Sequence, residues 1–221
     1  MIPLRSTERV RSTATVTLIL ILLNVLVFLY EQILPSWALD SFIAHYGIVP
    51  DRLRPVSLLT SMFLHGGWLH IIGNMWFLWV FGRNVEDLIG SGRFLVFYIL
   101  CGLAAGLVQV FFNPYSRVPT VGASGAIAGV MGAYLIKFPR ARITTLVPIF
   151  IFITTLEIPA VFLLLYWFAI QFFSGVGSIG YSQVSSGGIA WFAHVGGFLA
   201  GMLLVNMFGE KQRWTARWDQ W

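Results

Sequence analysis

The sequence predicts an all-α integral membrane protein, a bundle of six transmembrane helices, and three observations support this. Of its 221 residues, 57% are hydrophobic and only 10% are charged, whereas soluble domains are about half apolar and about a quarter charged. The apolar residues fall into six runs, and since a bilayer takes roughly 20 of them per helical span, six spans with short loops leave no room for a second domain. The basic residues, finally, are distributed very unevenly among the loops. A soluble domain, collagen, a disordered chain and a disulfide scaffold are excluded by the same composition. The single cysteine, Cys101, allows no internal disulfide and lies beside Gly102 in an apolar run, as a small buried side chain would.

Residues 1–14 read as a polar N-terminal segment, and the first span runs from Thr15 to Tyr30. Its basic flank could suggest a signal peptide, but the run is long for one and its loss would leave an odd number of spans. The first loop, Glu31 to Leu64, mixes Trp37, Phe42 and Tyr46 with Asp40, His45 and Asp51, as expected of a segment half sunk in the membrane interface. Span two runs from Gly67 to Phe81 and span three from Phe94 to Phe112. Span four begins at Ala123 and stops before Pro139; spans five and six cover Ile158 to Phe173 and Ile189 to Phe208. Several are short, which suits helices that end in protein and not in lipid. Leu146 to Thr155 is apolar but contains Pro148 and many β-branched residues, and reads as an interfacial approach to span five. Ser174 to Gly188 is uncharged and rich in Gly and Ser, a connector more readily than a mobile lid. The six helices thus form a domain over residues 15–208, followed by a basic tail, 209–221, whose Trp214, Trp218 and Trp221 fit interfacial anchoring.

Six spans put both termini, the 2–3 loop and the 4–5 loop on one side. That side holds Arg5, Arg9, Arg11, Arg83, Arg93, Lys137, Arg140, Arg142, Lys211, Arg213 and Arg217; the other holds only Arg52, Arg54 and Arg117. Both termini are therefore expected in the cytoplasm. Charge spread over four short segments at one face also excludes nucleic acid as the partner.

Polar groups inside spans are costly and call for a reason. His70 and Asn74 lie in span two, Ser124 in span four and His194 in span six, each within two turns of the start of an even-numbered helix. All four are expected at one depth, toward the extracytoplasmic face. His70 and Asn74, four apart, share a helix face. Ser124 stands in Gly122-Ala123-Ser124-Gly125, a motif weak by itself. Small residues at every fourth position, Gly125, Gly129 and Ala133 against Ala193, Gly197 and Gly201, let spans four and six approach closely. Ser124 and His194 head these rows, so packing brings a hydroxyl to an imidazole: a nucleophile and a base. No acidic residue lies in the outer half of a span, so a dyad is expected, with packing orienting His194. The Ser124 amide, the Asn74 amide and His70 are candidate donors for an oxyanion. A metal site is not expected, since His65 and His70 are five apart and lack acidic or cysteine company.

With these residues in place, the chain resembles the rhomboid intramembrane serine proteases over about Ser57 to Phe208. The resemblance rests on Leu59-Thr60-Ser61-Met62-Phe63-Leu64-His65, His70 with Asn74, Gly82-Arg83-Asn84-Val85-Glu86-Asp87, Gly122-Ala123-Ser124-Gly125 and Ala193-His194-Val195-Gly196-Gly197. It implies a rhomboid-like six-helix bundle with Ser124 as nucleophile, His194 as general base and His70 and Asn74 as oxyanion stabilisers. It also implies single-span membrane proteins as substrates, cut in or near a helix that unwinds readily, with span five and the loop after it as a gate and no metal or cofactor. Two positions depart from the pattern: Val56-Ser57 replaces a Trp-Arg pair in the first loop, and Ala128 replaces an aromatic ring that backs the histidine. Support for His194 must then come from elsewhere. Glu86 and Asp87 read as structural, capping a helix or pairing with Arg83 or Arg93. The compact chain suits a bacterial inner membrane. Two other readings are a non-catalytic relative that binds membrane helices, disfavoured by the presence of both Ser124 and His194, and a small transporter, disfavoured by the lack of an acidic relay or inverted repeat.

Overall fold

Hydrophobic length decides where the helices run. The computed structural model describes residues 2–149, 152–178 and 190–210, and a helix lies in each of the six apolar runs. Helix α1 (Thr15–Ile33) leads into the first loop, which carries α2 (Ser36–Tyr46) and the single turn α3 (Ser57–Thr60). Helix α4 (Trp68–Phe77) continues through a π-helical turn, Leu78–Gly82, into α5 (Arg83–Ile89), and α6 (Ser91–Phe112) follows. Then come α7 (Ser124–Lys137), α8 (Ala160–Ser178) and α9 (Trp191–Leu204), the last ending in a 3-10 turn, Val205–Phe208. Thr15–Ile33, Ser91–Phe112, Ala160–Ser178 and Trp191–Phe208 are long and apolar enough to cross a membrane, and Ser124–Lys137 is a shorter apolar helix. Leu22, Leu26, Phe162 and Phe173 are among many large apolar side chains on the outer surface, as a lipid-facing surface requires.

Helix α7 is the axis of the bundle, buried from Gly125 to Leu135. Its closest neighbour is α9. A Cβ at Gly197 would overlap the Gly125 carbonyl, one at Gly201 the Gly129 carbonyl, and one at Gly132 the Phe198 carbonyl. Only hydrogen side chains let these backbones touch. At 1.5 Å per residue, the 14 residues of α7 span about 21 Å, less than the roughly 30 Å of a hydrocarbon core. One end of α7 therefore stops inside the layer, among protein groups.

A three-stranded antiparallel sheet is added to this helical frame, with strand order β1-β2-β3: β1 (Ile2–Ser6), β2 (Arg142–Ile149) and β3 (Phe152–Pro159). Of the segment Leu146 to Thr155, expected as an interfacial approach to span five, the described residues lie instead in two paired antiparallel strands, in register from Arg142↔Pro159 through Thr145↔Leu156 to Ile149↔Phe152. Its β-branched residues lose rotamer freedom in a helix and fit a pleated surface. The sequence also repeats Ile-Thr-Thr-Leu, at Ile143 to Leu146 and at Ile153 to Leu156. Strand β1, part of the expected N-terminal segment, pairs Ile2 with Leu146 and Ser6 with Ile143, with an irregularity between Pro3 and Arg5, where proline has no N–H to give.

The sheet is fastened at the Lys137 end of α7. The Ala160 N–H donates to the Ala141 carbonyl at 2.9 Å, Ser6 Oγ and the Tyr134 hydroxyl share a hydrogen bond, and the Trp76 indole donates to the Pro3 carbonyl. At the same end Glu86 accepts from the Val16 and Thr17 amides, both at 2.8 Å, and from the Thr17 and Ser91 hydroxyls, both at 2.7 Å. It caps α1, whose N-cap residue Ala14 makes no side-chain cap. Asp87 accepts from the amides of Arg11 and Ser12. Of the two roles the sequence suggested, capping a helix or pairing with Arg83 or Arg93, Glu86 takes the first. The three tail tryptophans and residues 179–188 of the uncharged loop lie outside the described residues.

Candidate active site

The site begins where α7 begins. Gly122 has a φ of +125°, a conformation that only glycine adopts at little cost, and its N–H donates to the Ser61 carbonyl at 2.9 Å. A Cβ there would lie 2.7 Å from His70 Nε2 and 3.6 Å from Asn74 Nδ2. Both α4 side chains thus face the backbone two residues ahead of Ser124. Ser124 occupies the first turn of α7, where amide N–H groups have no partner within the helix.

The close approach of α7 and α9 sets Ser124 Oγ 2.8 Å from His194 Nε2. The start of α9 is held by the Ala193 N–H donating to Gln109 Oε1 at 3.2 Å. On the far side of the ring, His194 Nδ1 lies 2.6 Å from Gln171 Oε1. Trp167, four residues earlier on α8, stands 5.7 Å from the His194 ring between centroids, inclined at 36°. The support that Ala128 does not supply is therefore provided by α8. The expectation that packing alone orients His194 omitted Gln171, although a signal was present: it is the one carboxamide in an apolar helix, a costly placement in a span.

His70 and Asn74 also converge on this point. Asn74 is buried, and its Nδ2 has no hydrogen-bond partner among the described residues. His70 Nδ1 accepts from the Gly66 N–H at 3.3 Å, which leaves the ring proton of the neutral form on Nε2, the nitrogen that faces Gly122. A cavity of about 20 Å³ lies among Ser61, Gly122, Ser124 and Ala193, room for about one water. His65, just before α4, is buried with neither ring nitrogen bonded among the described residues, and its ring lies 5.1 Å from that of His70. Burial, helped by the nearby His70, pushes the His65 pKa from 6.5 down to about 4. Its backbone N–H approaches the Glu31 carboxylate at 3.3 Å. Among the described residues no group of three or more His, Cys, Asp or Glu is arranged to hold a metal ion.

The first loop is anchored without the Trp-Arg pair. Ser57 Oγ donates to the Arg54 carbonyl at 2.7 Å, Ile48 and Thr120 exchange backbone hydrogen bonds, and Arg117 meets Asp51 at 3.1 Å. The last two contacts tie the loop to the segment that leads into Ser124.

A family model, the Rhomboid domain, matches residues 52–211. The chain belongs to the rhomboid family. It is 35% identical over 125 residues to Rhomboid protease GluP of Bacillus subtilis, a match covering 55% of this chain and 24% of that protein. It is 30% identical over 127 residues to Rhomboid protein 1, mitochondrial, of Saccharomyces cerevisiae, covering 55% of this chain and 36% of the relative. To the human Presenilin-associated rhomboid-like protein, mitochondrial, it is 29% identical over 173 residues, 72% of this chain and 39% of the relative. The matches thus span about a quarter to two fifths of the length of these relatives. Like other rhomboids, this is an integral multi-pass membrane protein.

Proposed function

We propose that this rhomboid is an intramembrane serine endopeptidase that cuts single-span membrane proteins in or near their transmembrane helix. The observation that carries the reading is the 2.8 Å contact between Ser124 Oγ and His194 Nε2, at the start of a helix too short to cross a bilayer. Ser124 Oγ–H donates to the neutral imidazole and the oxygen attacks a peptide carbonyl, with His194 taking the proton. The oxyanion of the tetrahedral intermediate is met by the Ser124 amide, the Asn74 Nδ2–H and the His70 Nε2–H. Asn74 fits this role because its Nδ2 is buried without another partner among the described residues, so it is ready to donate without first breaking a bond. The protonated His194 then passes its proton to the leaving amine, an acyl-enzyme forms on Ser124, and water hydrolyses it.

Substrate class follows from depth. A carbonyl within a membrane helix is tied to an N–H four residues on, so a substrate must unwind locally to offer it, and helices with Gly or Pro near the cut do so at the least cost. The charge asymmetry of the loops supports a reading with both termini in the cytoplasm and the Ser124 end toward the opposite face, from which water enters.

Purified protein in liposomes, given tagged single-span substrates with such weak points, is expected to cleave them, and Ser124→Ala and His194→Ala are not. Residual cleavage by Ser124→Ala, or wild-type failure on every one of several substrates, overturns the proposal. A serine-reactive phosphonate offers a check without substrate: labelling is expected in wild type and absent in Ser124→Ala.

A further inference from the structure

We propose that Gln171 is the positioning residue of the base: its carboxamide oxygen accepts the Nδ1–H of His194 and thereby holds the ring in the tautomer whose bare Nε2 faces Ser124. The inference rests on the reading of Ser124 and His194 as nucleophile and base. The geometry is specific. Gln171 Oε1 stands 2.6 Å from Nδ1 while Nε2 is 2.8 Å from Ser124 Oγ, so the ring is bonded at both nitrogens. A neutral imidazole has one N–H and one lone pair; with the lone pair turned to the serine, the N–H must go to an acceptor on the opposite side. Gln171 is buried, and Trp167, four residues before it on the same helix, flanks the ring. One stretch of α8 thus fixes both the tilt of the imidazole and its proton.

The choice of an amide has a physical reason. In soluble hydrolases a carboxylate commonly performs this task, but a charge this deep in a hydrocarbon layer is costly to hold. A carboxamide accepts the same hydrogen bond without any charge. It gives up the carboxylate's electrostatic help to the imidazolium in exchange for a neutral site that survives burial. Because Gln171 belongs to α8 while His194 and Ser124 belong to α9 and α7, the base is aligned only while α8 stays docked against α9.

The test uses full-length protein in detergent micelles with 15N-labelled histidine, the His194 signals being assigned by their loss in His194→Asn. Wild type is expected to show Nδ1 protonated and Nε2 bare. In Gln171→Leu the tautomers mix, kcat falls about 10- to 100-fold, and KM stays within about twofold. Gln171→Glu, which restores an acceptor, recovers most of kcat, and Gln171→Asn, one methylene short, lies between. Wild-type kcat and tautomer in Gln171→Leu overturn the inference, as does an Nε2-protonated ring in wild type. Should Gln171→Leu not fold, the Asn and Glu variants decide: equal kcat and identical tautomer spectra in both count against it. The two readings fail separately. Phosphonate labelling of Ser124 at the wild-type rate in Gln171→Leu overturns this one alone, while an Nδ1-protonated His194 beside a serine that never labels overturns the protease reading alone.

Discussion

Two buried polar groups, Glu86 and Asn74, lie toward opposite ends of one helix, and they are bonded in opposite ways. Glu86 lies 16 residues from His70 along the continuous α4–α5 helix, about 24 Å at helical rise, and its carboxylate is wrapped by four donors from α1 and α6. Asn74 and His65, at the other end, keep buried nitrogens without a partner among the described residues. A buried polar group normally finds its hydrogen bonds. Saturation at Glu86 is what a group that holds segments together shows, and the shortfall at Asn74 is what the proposed oxyanion role calls for, a donor free for an arriving group. On the proposed function, the difference separates a fastening from a workplace within a single helix.

The sharpest test of that contrast is the pair of losses it predicts. Ser124→Ala is expected to abolish cleavage, on the scale of the roughly 10⁶-fold loss seen when a serine nucleophile is removed, with no fall in thermal stability. Glu86→Ala is expected to do the reverse, destabilising by about 3 kcal/mol because charged hydrogen bonds are lost and the α1 amides are left bare; thermal unfolding in micelles reads this, with kcat per folded molecule unchanged. A lowered kcat at unchanged Tm would break the contrast at the Glu86 end. Asn74→Ala comes next, with kcat down about 100-fold and Tm level or slightly raised, since an unpartnered buried amide is removed. A marked loss of stability there would make Asn74 a fastening too.

The smallest effect concerns pH. In the folded protein His65 binds a proton only near pH 4, whereas in the unfolded chain it does so near 6.5. Its neutral form therefore contributes stability that is fully present above about pH 6.5 and is lost as the pH falls toward 4. Unfolding scans across that window are expected to show a steeper acid-side fall for wild type than for His65→Asn; equal slopes would remove His65 from the set of under-bonded groups.

Much of the fold was legible because it depends on local quantities. Apolar length placed α1, α6, α7 and α9, and small residues every fourth position anticipated the contacts of Gly197 with Gly125 and of Gly201 with Gly129. The strand pair was less visible, because an apolar β-branched run near a membrane suits a strand or an interfacial coil equally well until its partner strand is known. The repeated Ile-Thr-Thr-Leu was the available hint. At the candidate site the four polar residues could be named from their depth, but Gln171 could not be paired with His194, since periodicity along α8 carries no information about which face meets α9.

What the sequence by itself determined is the set of apolar helices and the polar residues that pay the cost of sitting in them, because hydrophobicity and helical period are properties of neighbours along the chain. Only the tertiary structure decided that Gln171, 23 residues before His194, and Ser124, 70 residues before it, bond the two nitrogens of one ring. It alone decided that Ile2 pairs with Leu146 across the foot of the bundle. Hydrogen bonds act over about 3 Å, and which distant groups come within that range is fixed by the packing of helices and strands, not by any local stretch of residues.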